Sequence, residues 1–342
     1  MSSKKCFALA VAIGFAAFLT GCTGSGDSTS VKNAGSGGTG TKVATPVLAV
    51  IPKGTSHEFW KSVHAGALAA GTEFGAEIIW KGPTKEDDRD SQISTVQDFV
   101  TKKVDGILLA PLDDTALRMP VKEAQDAGIP VLIFDSGLKD IETVSFVATD
   151  NERGGEIAGE HLAKLLGGKG RVVMLRYLVG SASTDARERG FLKAMQANPG
   201  ITVVSENQYA GASVESAQKA GENLLQPLKK ADGSLGIDGI FCPNESATFG
   251  MLRVLQDNSW AGKVRLVGFD ASEKLVQALE TGEIDGLVVQ NPFNMGYLGV
   301  KNMLAHLKKE PVEKRIDTGA NLVTKDNMKD PEIAKLIAPP KK

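Results

Sequence analysis

Short, uninterrupted apolar runs alternate along this chain with longer segments whose apolar residues recur every three or four positions. Val47 to Ile51 is the first run, and Phe59, Val63, Ala67, Ala70 and Phe74 follow it at helical spacing. The same reading predicts strands over 77–80, 107–110, 131–134 and 144–148, with helices over 90–102 and 117–127 among them. Gly128 and Pro130 stop the second of these helices. Beyond residue 150 the rhythm repeats, with helices over 153–166, 186–197, 213–228 and 296–308 and strands over 171–175, 202–206 and 287–290. Strands this short and this uniformly apolar are buried on both faces, as in βαβ units. The pattern therefore predicts an α/β fold with parallel sheets.

Part of the pattern occurs twice. Val104-Asp105-Gly106-Ile107-Leu108-Leu109-Ala110-Pro111 leads through a helix to Val131-Leu132-Ile133-Phe134-Asp135. Ile237-Asp238-Gly239-Ile240-Phe241-Cys242-Pro243-Asn244 leads in the same way to Leu266-Val267-Gly268-Phe269-Asp270. In open α/β sheets ligands sit beyond the carboxyl ends of the strands. The two copies thus predict two similar lobes facing each other, with Asp135 and Asp270 as acceptors on opposite walls of a cleft. For both, capping of the following turn is the alternative.

The N-terminus adds a compartment. Lys4 and Lys5 precede an apolar run from Phe7 to Leu19, and Leu19-Thr20-Gly21-Cys22 follows. This predicts a secretory signal over 1–21, too short to be an ordinary transmembrane helix. The Leu-Thr-Gly-Cys run resembles a bacterial lipobox, which implies cleavage before Cys22, lipidation of its thiol and anchoring to a membrane. Residues 22–45 are rich in Gly, Ser and Thr and read as a flexible tether. Gly35-x-Gly37-x-x-Gly40 within it lacks the strand and helix that a dinucleotide fingerprint needs.

Composition and motifs then exclude whole classes of function. The net charge of −2 offers no basic surface for nucleic acid. There is no Gly-x-Ser-x-Gly or His-Glu-x-x-His, and His57 and His64 lack a third ligand for a metal. Glu86-Asp87-Asp88 reads as a solvated polar loop. With the signal removed and Cys22 modified, Cys242 has no disulfide partner. No catalytic centre, metal or cofactor is expected.

The pieces Phe59-Trp60, Phe134-Asp135, Thr149-Asp150-Asn151 before a Gly-Gly helix start, Ser183-Thr184-Asp185-Ala186-Arg187-Glu188-Arg189-Gly190-Phe191, Asn244, Gly268-Phe269-Asp270 and Gln290 occur in a telling order. In that order the chain resembles the periplasmic sugar-binding proteins of ABC importers, of the ribose-binding type, over residues 46 to about 328. The resemblance implies a type I periplasmic binding protein: two Rossmann-like lobes joined by three crossings, near Asp150, Asn291 and Gly319. One lobe would comprise 46–149 plus 291–319, the other 150–290 plus 320–342. It further implies a monomer, no cofactor, a sugar-like ligand and an ABC permease as partner. A lipoprotein that presents a sugar or furanosyl autoinducer to a chemoreceptor or sensor kinase is the alternative.

A sugar offers hydroxyls that both donate and accept, and one apolar C–H face. Asp135 and Asp270 suit hydroxyl donors, and Arg187 presents a rigid fork of donors to oxygens. Asn244 and Gln290 can do both. Phe59, Trp60 and Phe269 suit stacking, although Phe59 and Phe269 also fit core positions. Trp60 falls off the apolar face of its helix and is expected to be exposed. Lys53, Ser136, His57 and Glu58 depart from the ribose type. With Ile51-Pro52-Lys53 and Gly82-Pro83-Thr84, the first lobe is more like binding proteins for furanosyl autoinducer or rhamnose. In those a lysine lies at the ligand, so Lys53 joins the candidate site. His57 and Glu58 read equally well as exposed residues at a helix start.

Overall fold

The computed structural model describes residues 45–338, so the expected signal segment, Cys22 and nearly all of the tether lie outside the described residues. In chain order the elements are β1 (Val47–Ile51), α1 (Glu58–Phe74), β2 (Glu77–Trp80), α2 (Arg89–Lys102), β3 (Gly106–Leu109), α3 (Arg118–Asp126), β4 (Val131–Phe134), β5 (Phe146–Ala148), α4 (Asn151–Leu165), β6 (Lys169–Arg176), α5 (Ala182–Gln196), β7 (Gly200–Tyr209), α6 (Val214–Leu225), β8 (Gly239–Phe241), α7 (Glu245–Asp257), β9 (Arg265–Phe269), α8 (Glu273–Thr281), β10 (Gly286–Gln290), α9 (Pro292–Leu307), β11 (Arg315–Asp317), β12 (Ala320–Val323) and α10 (Pro331–Ile337). No helix among the described residues is long and apolar enough to cross a membrane.

The strands form two six-stranded sheets, in the orders β11-β5-β4-β3-β1-β2 and β12-β10-β9-β8-β6-β7. The orders correspond strand for strand, and the repeated segments, β3–β4 and β8–β9, occupy equivalent places. All pairings are parallel except β10 with β12, which is antiparallel. The apolar runs behave as their composition dictates: β3, β4 and β10 are buried throughout, with apolar clusters on both faces of each sheet.

The Asp of each Asp-Gly repeat is structural. Asp105 Oδ2 accepts from the Val47 N–H at 2.7 Å, and Asp238 Oδ2 accepts from the Arg171 N–H at 2.7 Å. Each thus pins the start of the neighbouring strand. The following glycines, Gly106 and Gly239, leave room for Met303 and Leu162 from the covering helices.

The chain passes from the first sheet to the second after β5. It returns after β10, where α9 packs on α1, and leaves again between β11 and β12. Thr149 Oγ1 donates to the Gly319 carbonyl at 3.1 Å, so two of these passages lie side by side.

Several elements differ from the sequence expectation. α5 begins at Ala182 rather than 186, which brings Ser183 and Thr184 into its first turn. β7 runs over Gly200–Tyr209, longer than 202–206, with breaks in its register against β6. α8, β11, β12 and α10 complete the fold without having been predicted.

Candidate functional site

The site lies where the carboxyl ends of the two sheets face each other. Asp135 directly follows β4 and Asp270 directly follows β9, both with backbone in the left-handed region, φ 61° and 68°. Asp is one of the few non-glycine residues that visits this region, and such backbone concentrates at functional sites. Neither side chain caps a turn in its own loop. Asp270 instead bridges two other elements: Oδ1 accepts from Gln290 Nε2 at 2.7 Å, and Oδ2 accepts from the Glu245 N–H at 3.1 Å. Burial pushes the Asp270 carboxyl up, against the pull of Arg187.

Lys53, on the loop between β1 and α1, is only 3% exposed. Its Nζ lies 3.4 Å from Asp135 Oδ2 and donates to Ser183 Oγ at 2.9 Å and Ser181 Oγ at 3.2 Å. It belongs to the same lobe as Asp135 and reaches from there to α5 in the other.

Arg187 is buried in α5 because two glycines of α4 clear its path. A Cβ on Gly155 would stand 1.9 Å from the Arg187 carbonyl oxygen, and one on Gly154 would stand 2.9 Å from the Phe269 ring. Arg187 Nε donates to Asn151 Oδ1 at 2.8 Å and Nη1 to the Pro243 carbonyl at 2.9 Å. Its guanidinium carbon stacks 4.0 Å above Phe269. Burial lowers the Arg187 pKa, and Asp270 and Asp135 oppose that shift.

Asn244 is the N-cap of α7, its Oδ1 accepting from the Ala247 N–H at 3.2 Å. Gln290, 2% exposed, spends its amide group on Asp270 and leaves Oε1 buried without a hydrogen-bond partner among the described residues.

These groups line a small cavity between the lobes, with about 30 Å³ of free volume. Lys53, Phe59, Trp60 and Asp135 line it from one lobe, and Arg187, Asn244, Asp270 and Gln290 from the other. Of the candidate residues Phe269 alone is not brought to the wall. It is fully buried in the second core with Arg187 over its face, so the expected stacking on a ligand is corrected to support of the arginine.

Three further expectations are overturned. Trp60 is not exposed but 2% accessible: its ring packs edge-on to Phe59 and Phe134, and its Nε1–H donates to Glu86 Oε1 at 2.8 Å. Glu86 is not solvated. It also meets His57 Nδ1 at 2.8 Å and accepts from the Tyr177 hydroxyl at 3.0 Å, across the cleft. His57 is correspondingly a half-buried partner, its side chain 12% accessible, rather than an exposed residue at a helix start. Burial opposes both charges, but the pair's attraction prevails, raising His57 to about 9 and lowering Glu86 to about 2. Burial and Glu86 together push the Tyr177 hydroxyl well above its ordinary value.

Tyr177 and Glu245 line the cavity without having been singled out from the sequence; Glu86, read there as solvated loop, and Ser183 and Thr184, named there only as part of the resemblance motif, line it too. The strand-end rule reaches Tyr177, which directly follows β6, but no local signal marks Glu86. The described residues contain no cluster of metal-ligating side chains, and Cys242 is buried and free.

Two lobes of matched parallel sheets, with charged and amide side chains converging from the strand ends of both, define a two-lobed solute-binding protein of the type I periplasmic class. The model of the periplasmic binding protein domain matches residues 48–311, and the chain belongs to that family. The ribose import binding protein RbsB of Escherichia coli is 29% identical over 289 residues, covering 83% of this chain and 92% of that protein. A carbohydrate transporter solute-binding protein from Agrobacterium radiobacter, solved in complex with D-arabinose, is 35% identical with a TM-score of 0.81, over 86% of this chain and 100% of that one. An ABC transporter solute-binding protein from Agrobacterium vitis with bound D-fucose is 34% identical with a TM-score of 0.80, over 85% and 100%. These relatives are sugar-binding transport proteins.

Proposed function

We propose that this protein captures a neutral monosaccharide or similar polyol outside the cytoplasm and delivers it to an ABC permease. In this reading Cys22 carries a lipid that anchors the protein to a membrane, and the working unit is a monomer without a cofactor. The observation that carries the reading is Gln290 Oε1, an acceptor buried beside Asp270 in the cavity and lacking a partner among the described residues. A buried acceptor without a donor costs about 1–3 kcal/mol, and a ligand hydroxyl removes that cost.

The charge balance of the cavity supports a neutral ligand. Lys53, His57 and Arg187 face the four carboxyl groups of Glu86, Asp135, Glu245 and Asp270. No cation is left over for a carboxylate or phosphate. Lys53 and Arg187 supply donors to ligand oxygens, Asp135, Asp270 and Gln290 supply acceptors, and Phe59 and Trp60 supply apolar surface. The lysine–aspartate pair on the first wall is what would move the preference away from ribose.

A thermal-shift screen over aldoses, deoxysugars, polyols and acidic sugars tests this. A neutral sugar at about a hundred times its Kd adds roughly 2.7 kcal/mol and raises Tm by a few degrees. Gln290→Met should abolish most of that shift. Stabilisation by acidic sugars alone would sink the reading. Cys22→Ser should release the protein from membranes, and its retention there would remove the anchor from the proposal.

A further inference from the structure

Glu245 opens α7, yet its carboxylate is turned across the cleft to α1. Oε1 accepts from the Glu58 N–H at 3.4 Å and Oε2 from the Phe59 N–H at 3.3 Å. These amides begin α1 and have no acceptor within their own helix. The N-cap residue of α1, His57, provides no side-chain acceptor either. Helix α1 is therefore capped from the other lobe.

The same residue is tied to the ligand wall, because its backbone N–H donates to Asp270 Oδ2 at 3.1 Å. Its position is also a boundary. His57, Phe59, Glu245, Asp270 and Gln290 line both the cavity and a larger groove beside it. The contact of Glu245 with α1 stands between the two spaces. On the cavity's far side the Tyr177–Glu86 bond closes the lobes in a similar way.

We propose that Glu245 is a positioning residue that latches the cleft: by capping α1 across the lobes it bars the way from cavity to groove and sets how fast a ligand leaves. The latch rests on the reading of the cavity as the ligand site. A ligand that holds Asp270 holds the Glu245 backbone, and the Glu245 side chain then holds α1. Release requires this cap to break, while capture by the open cleft does not.

The test is amide hydrogen exchange by NMR on the full chain, alone and with excess D-arabinose, D-ribose or D-fucose. Protection of the Glu58 and Phe59 amides reports the cap without requiring that any sugar bind. Glu245→Ala should speed their exchange about tenfold or more, while Val63 and Ala67 in mid-helix keep their protection. Glu245→Gln, which keeps a carbonyl acceptor, should retain most of the protection. Equal exchange in wild type and Glu245→Ala, or loss of protection along the whole of α1, overturns the latch. With a sugar that binds, stopped-flow measurement should show koff about tenfold higher in Glu245→Ala and kon little changed. A fall in kon alone overturns the latch. If no sugar binds, the cavity reading fails, and the exchange arm still judges the cap.

Discussion

Asp135 and Asp270 occupy corresponding places in the two lobes, each one residue beyond an equivalent strand and each in left-handed backbone, at φ 61° and 68°. Their partners differ. Asp135 has Lys53 Nζ at 3.4 Å, whereas Asp270 has the Gln290 amide at 2.7 Å and the Glu245 N–H. One backbone device, repeated, thus presents two chemistries to the cavity.

The device separates stability from binding at Asp270. Asp270→Ala and Asp270→Gly both remove the carboxylate and should both lose sugar affinity by more than tenfold. Glycine alone is at ease at this φ, so Asp270→Gly should be the more stable of the two by about 1 kcal/mol. Urea unfolding beside calorimetry checks this, and equal stability of the two variants would show that the position carries no strain.

Lys53 and Asp135 form a buried pair whose halves depend on each other. Lys53→Met leaves a buried carboxylate without its cation and should cost about 3–5 kcal/mol of stability. Adding Asp135→Asn should restore much of that stability and none of the affinity. A double-mutant cycle with no coupling would contradict the pairing.

The His57–Glu86 pair sets a pH window. His57, raised to about 9, contributes its stability in full below its ordinary 6.5 and loses it as pH climbs through 9. Glu86, lowered to about 2, contributes above its ordinary 4.5 and loses it as pH falls through 2. The urea midpoint should therefore fall between pH 6.5 and 9 in the wild type. Glu86→Gln should flatten that fall and return the NMR titration of His57 to 6.5 or below. A flat wild-type profile over that range would refute the ion pair.

Gly155 should be intolerant of even one methyl group, since the added carbon would stand 1.9 Å from the Arg187 carbonyl oxygen. Gly155→Ala should push α5 off α4, cost about 1–3 kcal/mol and weaken sugar binding with Arg187 still in place. Wild-type affinity in this variant would show that the helix contact does not position the arginine.

The sheets were legible because their strands are buried on both faces and so are apolar throughout. α10 is short, and β11 has two exposed residues out of three, so neither period stands out there, whereas α8 does carry a helical period in Leu275, Ala278 and Leu279. In the site, strand ends pointed to Asp135 and Asp270, and the resemblance to sugar-binding proteins brought in Arg187, Asn244 and Gln290; all five line the cavity. Phe269 was misplaced because successive strand residues point to opposite faces, which sends it into the core beneath α4 when Asp270 turns outward. Trp60 was misjudged because α1 begins at Glu58, where the first turn is free to turn a side chain toward Phe134. Glu86 was missed because its burial comes from His57, Trp60 and Tyr177, all distant in sequence.

Lys53 and His57 sit on the short loop between β1 and α1, whereas Arg187 is locked by the glycines of α4 and Gln290 ends a central strand. The two walls are therefore unequal in how freely they can change over generations. On the proposed reading, substitutions in that loop would redirect the protein to a new nutrient at the expense of local ion pairs but with both apolar cores intact, while the opposite wall would keep its hold on the hydroxyls the nutrients share.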